Sequence, residues 1–504
     1  MLIAIGVGLL SLGISLWQLS VPEFLAPYDT GVYMAATIHL VSGILPYRDF
    51  VFVQPPGVLL ILSPIGLISR VFGAHDGLIA GRILTGVVTA LNASLLAWLV
   101  RGRGRCAMLI AGGGLALIPV SLFVSSEVKL EPYCAFFVLL GALVAFSGHT
   151  RTTPSSRRTL IIAGVLFGLA ALMKLWAIFP FVALIIALIP QLRRRVAIPL
   201  ISAGSTFLMV SLPFFLSAPR NFIAEVIVDQ LERKGTLVNS LGDLWRLVYM
   251  TGFGSTNLHP DTREALIGFI AFAILVAFAY RLRPRPDSVE VFLLLSAVLT
   301  MAGLTLAPEF YNYYGYFLAP FVMGVLGISL ARLAAPLRNI AIRLELSKVF
   351  LRLISFLSAA ISIIFVIALT LYITTFYTTY AWAFGMYGPY LNPIDKAIPS
   401  GSCVVYDEVI MGIFENRFSS TNPHCPNLVD PTGMWMGWGY DARTTPLAFA
   451  AQWETYFKEA QYVVLTSPTT SNIPWDLKLT AWFHLHYREV YSRNYVHIYK
   501  HDRS

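Results

Sequence analysis

The chain predicts a mostly α fold: a polytopic transmembrane helical bundle with a small α/β domain outside the membrane. Three observations predict it. Hydrophobic residues make up 57% of the 504 residues and charged ones only 12%, against roughly 25% charge in soluble domains. Several apolar runs approach the roughly 20 residues that cross a bilayer. The basic residues, which bring the formal charge to +9, fall in short loops between those runs. They are therefore a topology signal, and no nucleic-acid partner is expected.

Taken in order, the chain reads as about eleven spans. The first is Leu2–Leu19, which lacks a basic leading region and a small-residue cleavage site, so it reads as a retained helix. Gly57–Phe72 is apolar but short and interrupted by Pro64, and reads as a juxtamembrane or re-entrant helix. The next spans are Leu78–Val100, Cys106–Val124, Pro132–Phe146, Leu160–Leu175, Ile178–Ile189 and Val196–Leu216. Ala265–Tyr280, Val289–Leu306, Tyr314–Leu330 and Ile354–Phe376 follow. Arginines cluster at Arg101, Arg103 and Arg105, at Arg193, Arg194 and Arg195, and at Arg281, Arg283 and Arg285. These clusters share one side if the N-terminus is cytoplasmic. The segments 20–77, 125–131, 218–262 and 307–313 then face outward, in a multi-pass protein of the cell (plasma) membrane.

The composition shifts near Thr378, dividing the chain into a membrane domain, 1–377, and an extracytoplasmic α/β domain, 378–504. Cys403-Val404-Val405-Tyr406 and Tyr462-Val463-Val464-Leu465 read as strands, and Pro446–Lys458 as a helix. Cys403 and Cys425 are either a disulfide, which persists in an outer compartment, or two partly buried thiols.

Ionisable groups at the outer ends of the spans are the candidates for chemistry. Asp29 heads a segment rich in polar and aromatic groups, among them Tyr33, His39, Tyr47, Arg48, Asp49 and Gln54. A carboxylate at the membrane boundary is costly without a partner or a task. Glu127, Lys129 and Glu131 cluster beside Pro132, either as a solvated turn or as groups aimed at the surface that holds Asp29. Lys174 sits between two spans with almost no loop, where it either snorkels or meets a phosphate. Tyr313 and Tyr314 belong to an aromatic stretch that reads as an interfacial belt or as rings for a lipid or sugar face. Asp430 and Trp435 read as a turn with a buried ring, or as contacts from the outer domain. No metal-ligand spacing and no Walker or Rossmann glycine pattern occurs. A carboxylate site still leaves a divalent cation open.

Leu45-Pro46-Tyr47-Arg48-Asp49-Phe50, Gln54-Pro55-Pro56-Gly57, Arg82, Lys129-Leu130-Glu131-Pro132, Lys174 and Tyr313-Tyr314, behind an early outer Asp, form a recognisable series. The series resembles the C-type, membrane-embedded glycosyltransferases, in particular bacterial relatives of the dolichyl-phosphate-mannose–protein mannosyltransferases. The resemblance implies a polyprenyl-phosphate sugar donor and a glycan, lipid or protein acceptor. It implies Asp29 as catalytic base and Glu131 as a second catalytic acidic position. Here the second acid is Glu where many relatives carry Asp, and Gln54 stands where some have Lys. Arg48, Asp49, Gln54, Arg82, Lys129, Lys174, Tyr313 and Tyr314 are the expected substrate contacts. The rival reading is a multi-span transporter or lipid flippase. It predicts internal repeats and midplane charges, whereas here no repeat is evident and the charges gather at span ends.

Overall fold

The computed structural model describes residues 1–20, 28–147, 156–232, 245–253, 261–281, 285–307, 310–343, 388–437, 446–493 and 495–502. The apolar run at the start forms α1 (Leu2–Ser20), whose Ser11, Ser15 and Gln18 are buried against neighbouring helices. The segment expected as an outer loop folds instead into α2 (Tyr28–Val41), with every residue from Thr30 to Ile38 buried. Its Thr, Gly, Tyr and His content suppresses the hydropathy signal, because protein rather than lipid surrounds this helix. The Pro55-Pro56 pair then feeds α3 (Gly57–Phe72), and α4 (Ala74–Leu99) follows after Gly73, whose φ is 116°.

The span expected over Cys106–Val124 is broken. Helical turns from Arg105 to Leu117 give way at Ile118, which is extended, and Pro119–Ser125 leaves at a bend of 56°. Proline excludes the helical region for the residue before it, which explains the break at Ile118. The remaining helices of the bundle are α5 (Leu130–Phe146), α6 (Arg157–Met173), α7 (Ile178–Leu192) and α8 (Ala197–Ser217). They are followed by α9 (Thr262–Arg281), α10 (Ser288–Leu306) and α11 (Gly315–Arg343). Asp287 and Glu290 close a capping box at the start of α10. Among the described residues, 6 helices are long and apolar enough to cross a membrane, or 7 if the bent pair is one span. The span expected at Ile354–Phe376 lies outside the described residues, as do parts of the 218–262 and 307–313 segments.

The C-terminal region builds a four-stranded sheet from β1 (Val404–Tyr406), β2 (Tyr462–Leu465), β3 (Tyr487–Arg493) and β4 (Val496–His501), in the order β1-β2-β4-β3. The β1–β2 pair is parallel, Val404 opposite Tyr462, and the other pairs are antiparallel. Between these strands lie α12 (Ile410–Phe414), α13 (Pro431–Gly437), α14 (Pro446–Glu459) and α15 (Leu477–His486). The two-residue period of a strand sends neighbouring side chains to opposite faces. Val405, Val463 and Leu465 pack under Trp453, Phe457 and Phe483 of α14 and α15. Val404, Tyr406 and Val464 instead join the same core as the membrane helices. The sheet is therefore docked on the bundle through one face. Cys403 and Cys425 are disulfide-bonded, and Cys134 is buried as a small apolar residue would be.

Candidate active site at the junction of the bundle and the C-terminal region

Two helix ends place two lysines. Lys129 is extended (φ −123°, ψ 154°) immediately before α5, and Lys174 is extended (φ −158°, ψ 135°) immediately after α6. Each is buried, each faces a carboxylate, and each lies over a tyrosine ring. Lys129 Nζ is 3.0 Å from Asp29 Oδ2 and 3.9 Å from the centroid of Tyr313. Lys174 Nζ is 3.2 Å from Glu131 Oε1 and 4.0 Å from the centroid of Tyr314. Ammonium groups so placed gain from both the opposite charge and the ring quadrupole. The Tyr313 hydroxyl also donates to Asp29 Oδ2. Asp29 is thus held through one oxygen, while its side chain keeps 25% of its exposure.

These groups face a cavity of about 330 Å³. The bundle lines it with Asp29, Tyr33, Gln54, Lys129, Lys174, Tyr311, Tyr313 and Tyr314. The C-terminal region contributes Glu408, Asp430, Thr432, Gly433 and Asn472. Burial raises the Asp29 carboxyl, but the Lys129 ammonium, the Tyr313 hydroxyl and Lys174 outweigh it and hold the group below its usual range. Burial pushes Glu408 up to about 7, with Asp407 adding to the rise. Among the described residues, no group of three or more His, Cys, Asp or Glu is arranged to hold a metal ion.

The surroundings fix this arrangement. Thr30, one residue past Asp29, donates to Glu127 Oε2 at 3.0 Å and to the Val128 carbonyl at 3.3 Å, which ties α2 to the segment carrying Lys129. Tyr28, on the other side, donates to Asp430 Oδ1 at 2.8 Å and accepts from the Thr432 N–H at 2.9 Å. Asp430 also caps α13 through the Gly433 N–H. The wall from Phe52 to Gln54 is pinned from behind. The Phe52 N–H donates to Glu225, Gln230 donates to the Val53 carbonyl, and the Tyr47 hydroxyl donates to the Gln54 carbonyl. Tyr47 itself has φ 67°, a conformation L-residues seldom adopt. Burial pushes Glu225 up to about 8. Buried Arg246 donates to the Thr305 and Ala307 carbonyls, holding the end of α10 that leads into the tyrosine stretch.

The residues singled out in the sequence divide into three groups. Asp29, Gln54, Lys129, Lys174, Tyr313 and Tyr314 come together on the cavity wall. Glu131 and Arg82 stand behind it: Glu131 is buried against Lys174, and Arg82 pairs with Glu127 at 3.3 Å beneath α2. Arg48 and Asp49 pair with each other at 2.7 Å on the surface and do not line the cavity. Sequence reasoning missed Tyr28, Glu408, Thr432 and Asn472. Tyr28 and Asp430 are 402 positions apart, and neither has a local signal for the other.

This architecture recurs in solved structures. ArnT from Cupriavidus metallidurans, solved bound to undecaprenyl phosphate, has a TM-score of 0.61 at 13% identity, over 97% of this chain and 96% of that one. The oligosaccharyltransferase AglB from Archaeoglobus fulgidus, solved with an inhibitory peptide and a dolichol-phosphate, has a TM-score of 0.52 at 13% identity, over 92% of this chain and 69% of that one. No protein-family model and no curated protein matches the chain. The chain therefore shares its fold with ArnT and AglB.

Proposed function

We propose that this protein transfers a single sugar from a polyprenyl-phosphate carrier to an acceptor hydroxyl, with inversion at the anomeric carbon. One observation carries the reading. Asp29 is anchored through Oδ2 by Lys129 and Tyr313, while Oδ1 has no partner among the described residues and the side chain borders a cavity shared with Lys174. Asp29 Oδ1 accepts the acceptor hydroxyl and takes its proton as the oxygen bonds to the anomeric carbon. The carbon–phosphate oxygen bond breaks, and its electron pair leaves with the carrier phosphate. Lys129 and Lys174 receive that developing negative charge. Glu131 acts through Lys174, fixing the ammonium from behind. Tyr313 and Tyr314 hold both lysines in register. A cavity of about 330 Å³ sits at the small end of ligand sites, roughly 300–1,000 Å³, which supports a monosaccharide over a long glycan. The resemblance to ArnT and AglB, solved with undecaprenyl phosphate and dolichol-phosphate, supports the carrier.

The same reading places the N-terminus in the cytoplasm, about eleven spans in the plasma membrane, and the cavity with the domain 378–504 on the outer face. The Cys403–Cys425 disulfide supports an oxidising side for that domain. The test is transfer of labelled sugar from undecaprenyl-phosphate mannose, glucose and arabinose by the purified protein in lipid, with Asp29→Asn as control. Transfer that depends on Asp29 is expected. Wild-type rates in a folded Asp29→Asn variant would overturn the base assignment. Movement of carrier lipid across the bilayer without transfer would favour the flippase reading.

A further inference from the structure

The charged groups on the cavity wall are answered by protein partners, with one exception. Asp29 has Lys129 and Tyr313, Lys174 has Glu131, and Asp430 has Tyr28 and the Gly433 N–H. Glu408 lines the same cavity, yet among the described residues its carboxylate has neither an ion pair nor a hydrogen bond. The framework around it is fixed. The Asp407 N–H donates to the Val464 carbonyl at 3.3 Å, and the Asp407 carboxylate accepts from the Thr466 N–H and hydroxyl. Asn472 donates to the Asp407 carbonyl and accepts from the Thr432 hydroxyl, both at 3.3 Å. Glu408 stands where β1 runs out beside parallel β2, the edge at which open α/β sheets bind ligands.

A partly buried carboxylate without a partner is favoured when a ligand brings hydrogen-bond donors to it. A polyprenyl tail brings none. A phosphate is repelled by Glu408 and attracted to the two lysines. A donor entering this cavity therefore has one favourable direction: phosphate toward Lys129 and Lys174, sugar toward the outer domain.

We propose that Glu408 is the sugar-reading residue, its carboxylate accepting hydrogen bonds from adjacent hydroxyls of the sugar being transferred. The proposal rests on the transferase reading of the same cavity and adds a specificity role for the outer domain. The experiment measures binding of two kinds of ligand to the full-length protein in lipid nanodiscs. One is undecaprenyl phosphate alone. The other is undecaprenyl phosphate bearing mannose, glucose or arabinose, together with single-deoxy forms of whichever binds best.

Glu408→Gln is expected to leave binding of undecaprenyl phosphate within about twofold and to weaken the best sugar-bearing donor about 10- to 100-fold, the range for hydrogen bonds to a charged group. The deoxy donor lacking the hydroxyl that Glu408 reads should bind both proteins alike. If Glu408→Gln binds every sugar-bearing donor as tightly as wild type, the assignment is overturned while the transferase reading stands. If the wild type binds no sugar-bearing donor better than the bare carrier, both fall. Should Glu408→Gln also lose the bare carrier, Glu408→Asp repeats the comparison with the charge kept and withdrawn by one methylene. Equal weakening of bare and sugar-bearing carriers by Glu408→Asp overturns the assignment, and selective weakening of the sugar-bearing one supports it.

Discussion

Among the described residues, two of the buried ionic clusters are built differently. Around the cavity, Asp29, Lys129, Glu131 and Lys174 form two separate carboxylate–lysine pairs, each lysine over a tyrosine ring. Where α10 and α11 meet, Glu290 is gripped by Arg332 through both carboxylate oxygens, at 3.0 and 2.8 Å, and by Arg103 at 2.8 Å. Glu290 also completes the capping box with Asp287, and Arg332 lies over the ring of Tyr280. The second cluster uses arginine forks, which fix geometry through several bonds at once. The first uses lysine point charges and leaves Asp29 open to a space that a ligand can fill. A closed arginine network is what a structural latch requires. A lysine pair with a free oxygen nearby is what an exchange of partners requires.

Substitutions in the two clusters should therefore separate rate from stability. Asp29→Asn should lower the transfer rate about 10²–10⁴-fold, the usual contribution of one positioned base, with the melting temperature nearly unchanged. Arg332→Met should do the reverse. Leaving Glu290 with fewer partners should destabilise the fold by about 3–5 kcal/mol, read as a lower midpoint of thermal unfolding, while the molecules that remain folded keep the wild-type rate. Lys174→Met should lower the rate about 10²–10³-fold, comparable to losing one charge-stabilising donor. Lys174→Arg should restore little of it, because a planar fork does not replace a compact ammonium over the Tyr314 ring.

The smallest effect expected is on pH. Because Lys129, Tyr313 and Lys174 together hold the Asp29 carboxyl below its usual value, the proposed base stays ionised through neutral and mildly acidic solution. Its activity should be level there and fall only as pH drops through the lowered value. Tyr313→Phe removes one of the groups responsible and keeps the ring under Lys129. It should shift that acid limb upward and lower the rate about two- to tenfold, the range for one hydrogen bond. An unmoved acid limb would separate Tyr313 from Asp29.

Much of this was legible in the sequence because it depends on local pattern. The β-branched runs at Val404 and Tyr462 and the helix from Pro446 announce themselves, and the structure places them at Val404–Tyr406, Tyr462–Leu465 and Pro446–Glu459. Asp29, Lys129 and Lys174 stand out because charges at the ends of apolar spans are rare. β3 gave no signal, since Tyr487–Arg493 is a mostly exposed edge strand rich in polar residues. α2 was hidden because protein buries it on all sides. Arg48 and Asp49 carried motif weight, yet they satisfy each other at the surface. The C-terminal wall of the cavity was out of reach, since Glu408 and Asn472 meet the bundle only through the tertiary fold.

Gly31 shows what that docking entails. A Cβ at this position would lie 2.7 Å from the Ile410 nitrogen, so α2 and α12 touch backbone to backbone two residues from Asp29. The C-terminal region is thus no interchangeable cap. A chimera that grafts it from a distant homologue has to bring a matching α2 along, because the two behave as one heritable unit whose parts must vary in concert.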